Sequence, residues 1–368
     1  MEKKQLILLG VVLLHSLAAS TSGIYLPLFY LSRGIPISGI ILLLCATFAI
    51  LTIVPLFLSG RNTISLGLLF FSLFYFSASF SQPIVVGVLY GLGLAFFWPS
   101  LNFLSSELTD SGERAGFLGK ISAVRTLAPV FGVLFGGFFA AAFGLKYLIF
   151  VSGGIFILSF LLSLLFLIDF PSKDFDAKEM RLPFVDRNFF LFSAGFFLNG
   201  FADSSWLVYP LLLAKISGGN TSEIGIASSA ITVLSAMIFV VVGKLSDVFG
   251  RRKPFLLLSV PFEFIWFFGV SVSASLIQII LVSVSSSLAS ALMRTGDSLY
   301  IDCYEKKHHA FLTALRESAL NLGRIASILV LSSLIISGNY HFYYRIFATA
   351  SLFYIPIYLL LKERHNYA

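Results

Sequence analysis

The stretch Gly243-Lys-Leu-Ser-Asp-Val-Phe-Gly-Arg-Arg-Lys-Pro254 decides how this chain is read. It is a short charged island between two long apolar runs. Of the 368 residues, 58% are hydrophobic and only 12% are charged. A soluble domain carries about 25% charged residues. One water-soluble core cannot hide that much apolar surface, so the solvent of this chain is lipid.

A spanning helix needs about 20 apolar residues. Twelve runs qualify, with approximate edges 5–31, 37–59, 64–80, 83–105, 118–143, 147–168, 188–214, 222–242, 255–273, 276–301, 310–336 and 341–361. Lipid tolerates the Gly and Pro they contain. The runs are continuous rather than alternating, which argues against a barrel. The expected fold class is an all-α membrane protein with 12 transmembrane helices in two six-helix bundles.

The net charge of +7 follows the membrane. With both termini on the inner side, eighteen of the 25 Lys and Arg fall on inner segments. Four (Arg33, Lys146, Lys215 and Arg345) fall on outer segments, and Arg125, Arg294 and Arg324 lie within spans. That asymmetry obeys the positive-inside rule. It places a multi-pass protein in the cytoplasmic membrane with both termini cytoplasmic, and it makes basicity a matter of topology, with no nucleic-acid partner. Lys3, Lys4 and Ala18-Ala19-Ser20 imitate a signal peptide, but the apolar run continues to Tyr30 and the even span count needs it. Cys45 and Cys303 sit at different depths, so neither a disulfide nor a metal site is expected.

The one sizeable polar segment is 169–187, in which nine of nineteen residues are charged. As a cytoplasmic linker it divides an N-terminal bundle, 1–168, from a C-terminal bundle, 188–368. The halves share landmarks. Pro27 precedes Gly60 by 33 residues, and Pro210 precedes Gly243 by the same number. Phe117-Leu118 and Phe311-Leu312 each open a fifth span after a charged loop.

In the island, Gly243 and Gly250 permit a tight turn. Arg251, Arg252 and Lys253 suit an anionic inner leaflet. Asp247 can pair with an Arg or face a helix N-terminus. The pattern resembles the signature loop of the major facilitator superfamily of secondary transporters, which is similar to Gly-x-Leu-Ser-Asp-x-x-Gly-Arg-Arg. The resemblance implies two bundles with a midplane site between them. It also implies a gating role for Asp247, latching the loop to the opposite half near Gly116 to Lys120. The first-half loop, Ser59-Gly-Arg-Asn-Thr63, lacks the Asp and the second Gly, which implies asymmetric gating. Two weaker resemblances follow. The fourth span carries Gly91, Gly93 and Ala95 for close packing but lacks the buried Arg that many relatives use in proton transfer. Ala128-Pro-Val-Phe-Gly132 partly matches an exporter motif and equally suits a kinked packing face.

Ionisable groups within spans default to functional hypotheses. Asn199, Asp203 and Trp206 share one face of span seven. Arg324 lies mid-span in span eleven, three residues after Asn321. Asp203 and Arg324 are expected to meet across the cavity. Burial favours the protonated Asp and a neighbouring guanidinium favours the ionised one, so a substrate that displaces Arg324 leaves Asp203 to take a proton. The alternative is a static ion pair joining two helices. Arg294, Asp297 and Glu317 form either an inner-gate network or side chains snorkelling to the surface. Arg125 is the clear basic group of the first-half cavity. His15 is either a satisfied packing histidine or an imidazole that titrates near neutral pH, and Glu263 has no evident role beyond contact with a neighbouring helix. Trp98, Trp206, Tyr25 and Tyr209 are candidates for an aromatic pocket.

These residues suggest proton-coupled efflux of a small organic molecule. Uptake of a sugar or organic anion, with Arg125 and Arg324 as contacts, is the alternative; a lipid flippase or a non-transporting receptor belongs to another class. No nucleophile–base pair is evident and His308-His309 sits in a loop, so enzyme activity is not expected. No Walker A motif, cofactor or metal site is present in the sequence. The partners are a small-molecule substrate, the proton and the bilayer, for a chain expected to be a monomer.

Overall fold

In the computed structural model, the described residues are 3–58, 62–108, 114–166, 187–203, 205–249, 253–302 and 309–361. They form seventeen helices and no strand. The helices group into twelve spans: α1 (Lys3–Gly23) with α2 (Leu26–Ser32), α3 (Ile37–Ile53) with α4 (Pro55–Leu58), α5 (Ile64–Ser77), α6 (Pro83–Glu107), α7 (Arg114–Phe143) and α8 (Leu145–Phe166), then α9 (Arg187–Asp203) with α10 (Ser205–Ile216), α11 (Thr221–Phe249), α12 (Lys253–Val272), α13 (Leu276–Asp302), α14 (His309–Val330) with α15 (Ser332–Ile336), and α16 (Tyr340–Ser351) with α17 (Tyr354–Leu360).

Local chemistry sets the breaks. Pro27, Pro55 and Pro356 stand in the first turn of α2, α4 and α17, where a missing amide proton costs nothing. Gly144 and Gly338 adopt φ of 90° and 69° in tight turns between spans, a conformation glycine enters freely. Phe80, in the turn after α5, and Leu165 of α8 are more than 70% exposed, as apolar residues of a lipid-solvated chain are. Tyr25, Tyr75, Tyr300, Tyr343, Tyr344 and Tyr354 are fully buried.

One expectation fails at the island. Gly243 does not turn the chain, because α11 runs through it and Asp247 to Phe249. A lone Gly costs a helix about 1 kcal/mol, and nothing else before Phe249 breaks the pattern. Gly250, Arg251 and Arg252 lie outside the described residues, as does the side chain of Asp247.

The helices cluster into two compact units, residues 1–175 with 213–232, and residues 176–212 with 233–368. In the first, α1 packs on α7 and α8, and α6 packs on α3 and α5. In the second, α9 packs on α14, while α12 packs on α13, α16 and α17. Its core joins Phe189 and Phe192 of α9 to Leu256 and Val260 of α12, Tyr300 of α13, Leu312 of α14, and Tyr354 and Tyr358 of α17.

Candidate functional site: a charged pair on a glycine seam

Two glycines bring α9 and α14 together. A Cβ on Gly200 would collide with the Leu320 carbonyl, and one on Gly323 would collide with the Phe197 carbonyl. Small residues of this kind let helix backbones approach closely in lipid. Asp203 follows Gly200 by three residues and Arg324 follows Gly323 directly, so the seam delivers both charges to one place. They meet along the packed helix pair α9 and α14.

Arg324 Nε donates to Asp203 Oδ2 at 2.8 Å, and its Nη2 donates to the same oxygen. Its Nη1 donates to Asn321 Oδ1 at 2.7 Å. Asn321 is fully buried and donates from Nδ2 to the Glu317 carbonyl at 2.7 Å. The guanidinium is thus held on two sides. The Asp203 side chain remains 42% exposed, and that of Arg324 20%. Both bonds converge on Oδ2, so Oδ1 stays open to a further partner.

The remaining residues selected from the sequence fall in different places. Asn199 is half-buried, one turn before Asp203 on α9. The side chains of Trp206, Arg294 and Asp297 lie outside the described residues. Glu317 pairs with its neighbour Arg316 at 2.6 Å. Arg125 of α7 is exposed, with its guanidinium 4.3 Å from the centroid of Trp98, a cation–π contact. Below it, His15 stacks on Phe97 at 3.9 Å and touches Phe71, Trp98 and Phe156 edge-on. Four rings thus pack around this histidine, and its Nε2 has no hydrogen-bond partner.

A separate feature of the first unit escaped the sequence reading. The Tyr25 hydroxyl lies 3.1 Å from the Val133 carbonyl oxygen and 3.4 Å from that of Thr221. Gly137 and Gly225 meet beside it. A cavity of roughly 710 Å³ adjoins this seam, lined by Phe29, Arg33, Lys146, Tyr147 and Thr221 among others. Two matched glycines with a tyrosine were the available signal, but glycines in apolar sequence rarely reveal their partner.

The description "Major Facilitator Superfamily" matches the chain over residues 8–209 and again over 191–367. The chain belongs to this superfamily. It is a multi-pass membrane transporter rather than an enzyme. Among solved structures it is similar to a bacterial homologue of the human lysosomal transporter Spinster in an inward-facing, occupied conformation, with 16% identity, 99% of this chain and 98% of that one covered, and a TM-score of 0.72. It is also similar to the nucleoside transporter NupG, with 12% identity, 98% and 99% covered, and a TM-score of 0.74. At these identities the likeness is one of fold. No curated protein sequence matches the chain.

Proposed function

We propose that this superfamily member exports a small, partly hydrophobic organic compound across the cytoplasmic membrane in exchange for protons, by alternating access. The observation that carries the reading is the half-exposed Asp203–Arg324 pair with Asn321 behind it. Ionisable groups at membrane depth are costly, and they mark ion and substrate pathways. While Arg324 holds Asp203, the carboxylate needs no proton. A substrate that competes for the guanidinium releases the carboxylate, which then takes one. One event thereby links cargo and proton. The bundles 1–168 and 188–368 are the moving parts, joined by 169–187, with both termini on the cytoplasmic side. Asp247, in the last turn of α11, serves as the gate latch.

Arg125 favours a second reading. An exposed guanidinium over Trp98 offers an anionic or aromatic group both a charge and a flat face, which suits uptake of an organic anion. Proteoliposomes loaded with a pH-sensitive dye and given a panel of amphiphilic cations, neutral compounds, sugars and organic anions separate the two. Export predicts that an imposed proton gradient drives amphiphilic compounds uphill against that gradient. Accumulation of organic anions together with protons would replace it with uptake.

A further inference from the structure

The cavity of roughly 710 Å³ beside the Tyr25 seam carries two positive charges and no negative one. Arg33 and Lys146 line it, and none of its lining residues is an Asp or a Glu. Its walls come from parts of the first unit that are far apart in sequence: the end of α2, the turn after α5, the end of α7, the first turn of α8 and the start of α11. By span count, four Lys and Arg fall on the segments of one membrane face against eighteen on the other, and two of the four line this cavity. Membrane proteins keep one face poor in Lys and Arg. That rule does not ask for half of the poor face's cations to gather at one recess.

Both cations have donors to spare. Arg33 Nη1 donates to the Ala78 carbonyl at the end of α5, and the guanidinium carbon lies 5.9 Å from the centroid of Phe29. The head group is thus held in place, with two of its nitrogens left to donate elsewhere. Lys146 is exposed and forms no ion pair or hydrogen bond with another described residue. Neutral donors add to the charges. The Ser79 hydroxyl, on the cavity wall, is buried without a partner. Leu145, Lys146 and Tyr147 make the first turn of α8, whose amides have no acceptor within the helix, and Gly144 before them has no side chain to cap them. α11 starts at the same cavity, but there Asn220 Oδ1 accepts from the Ser222 and Glu223 amides at 3.1 and 3.3 Å. Phe143 and Tyr147 also line the cavity and are more than 60% exposed, an apolar face next to the charges.

We propose that this cavity binds a phosphate group, borne by an anionic phospholipid or by a soluble phosphate, with Arg33 and Lys146 as its cations and the Ser79 hydroxyl and the first-turn amides of α8 as further donors. A phosphate presents more acceptor oxygens than a carboxylate, and a guanidinium and an ammonium are both suited to it. The volume falls within the range of small-ligand pockets, about 300–1,000 Å³. The exposed rings of Phe143 and Tyr147 suit a phosphate that carries an apolar portion. The inference is independent of the Asp203–Arg324 pair and needs no proton coupling.

The test uses the full chain in neutral detergent, with native mass spectrometry of bound phosphatidylglycerol and phosphatidylcholine, and equilibrium dialysis of labelled inorganic phosphate. Wild type should hold phosphatidylglycerol about tenfold more tightly than phosphatidylcholine, whose choline cation the two basic groups repel. Arg33→Gln with Lys146→Gln should abolish that preference. Lys215→Gln with Arg345→Gln removes the same charge elsewhere on the same face and should leave the preference within about twofold. Saturable inorganic phosphate binding that only the Arg33 and Lys146 variant loses would support the site with a soluble phosphate as its ligand. Should that double variant fail to fold, Lys146→Gln alone decides, since Lys146 has no bonded protein partner to lose: weaker phosphatidylglycerol or phosphate binding supports the proposal, and unchanged binding overturns it. Wild type with neither the lipid preference nor saturable phosphate binding overturns it, as does a preference that both double variants lose equally or that neither loses.

Discussion

The seam between α1 and α7 and the seam between α9 and α14 use one packing device for two kinds of chemistry. In the first, Gly132 faces the Leu17 carbonyl and the Ser20 side chain, and Gly136 faces the Thr21 carbonyl. In the second, Gly200 and Gly323 face the carbonyls of Leu320 and Phe197. Beside the first seam, Ser20 and Thr21 donate to Ser16 and Leu17 of their own helix, at 2.7 Å each. Beside the second, a carboxylate and a guanidinium bond across the helices. Hydroxyls bonded back onto their own helix need nothing from a neighbour, so the first seam is a packing contact. The second places a carboxylate and a guanidinium together, the pair on which the proposed coupling rests. Close packing of helices is therefore not what distinguishes the candidate site; the groups it brings together are.

The comparison is broken most severely at the glycines. Gly200→Leu and Gly136→Leu each drive a side chain into a facing carbonyl and should cost about 3 kcal/mol, measured as similar losses in thermal unfolding in detergent. A clear inequality between them would mean that the two seams are not packed alike. Next in size is Asp203→Ala. It leaves Arg324 without its carboxylate, and because the Asp203 side chain is 42% exposed the loss should be about 1–2 kcal/mol, below that of a fully buried pair. Adding Arg324→Met should restore part of it, and a double-mutant cycle measures the coupling. Additive losses would make the pair energetically incidental. Tyr25→Phe should cost about 1 kcal/mol, the worth of a buried hydrogen bond. Smallest are Ser20→Ala and Thr21→Val, at about 0.5 kcal/mol each, with flux unchanged. A loss of transport from either would move function into the first seam.

The spans were legible because hydropathy is a local property: each run shows its own apolar length. Asp203, Arg324 and Asn321 stood out for the same reason, as polar groups in apolar sequence. What hid was pairing. Gly200 and Gly323 lie more than a hundred residues apart, and nothing local says that each faces the other's helix. Gly243 shows the ambiguity in reverse, since a glycine beside charges reads as a turn and is helical here. The aromatic cage of His15 draws on three helices, α5, α6 and α8, and has no trace in spacing. Glu263 was visible as an anomaly, but its burial depends on how α13, α16 and α17 pack on α12.

The most direct test of the central claim is the number of protons moved per substrate in proteoliposomes, for wild type and Asp203→Asn. A fixed ratio in wild type, falling roughly tenfold in the variant while counterflow persists, is the predicted result. An unchanged ratio would contradict it and leave the Asp203–Arg324 pair as a structural tie between α9 and α14.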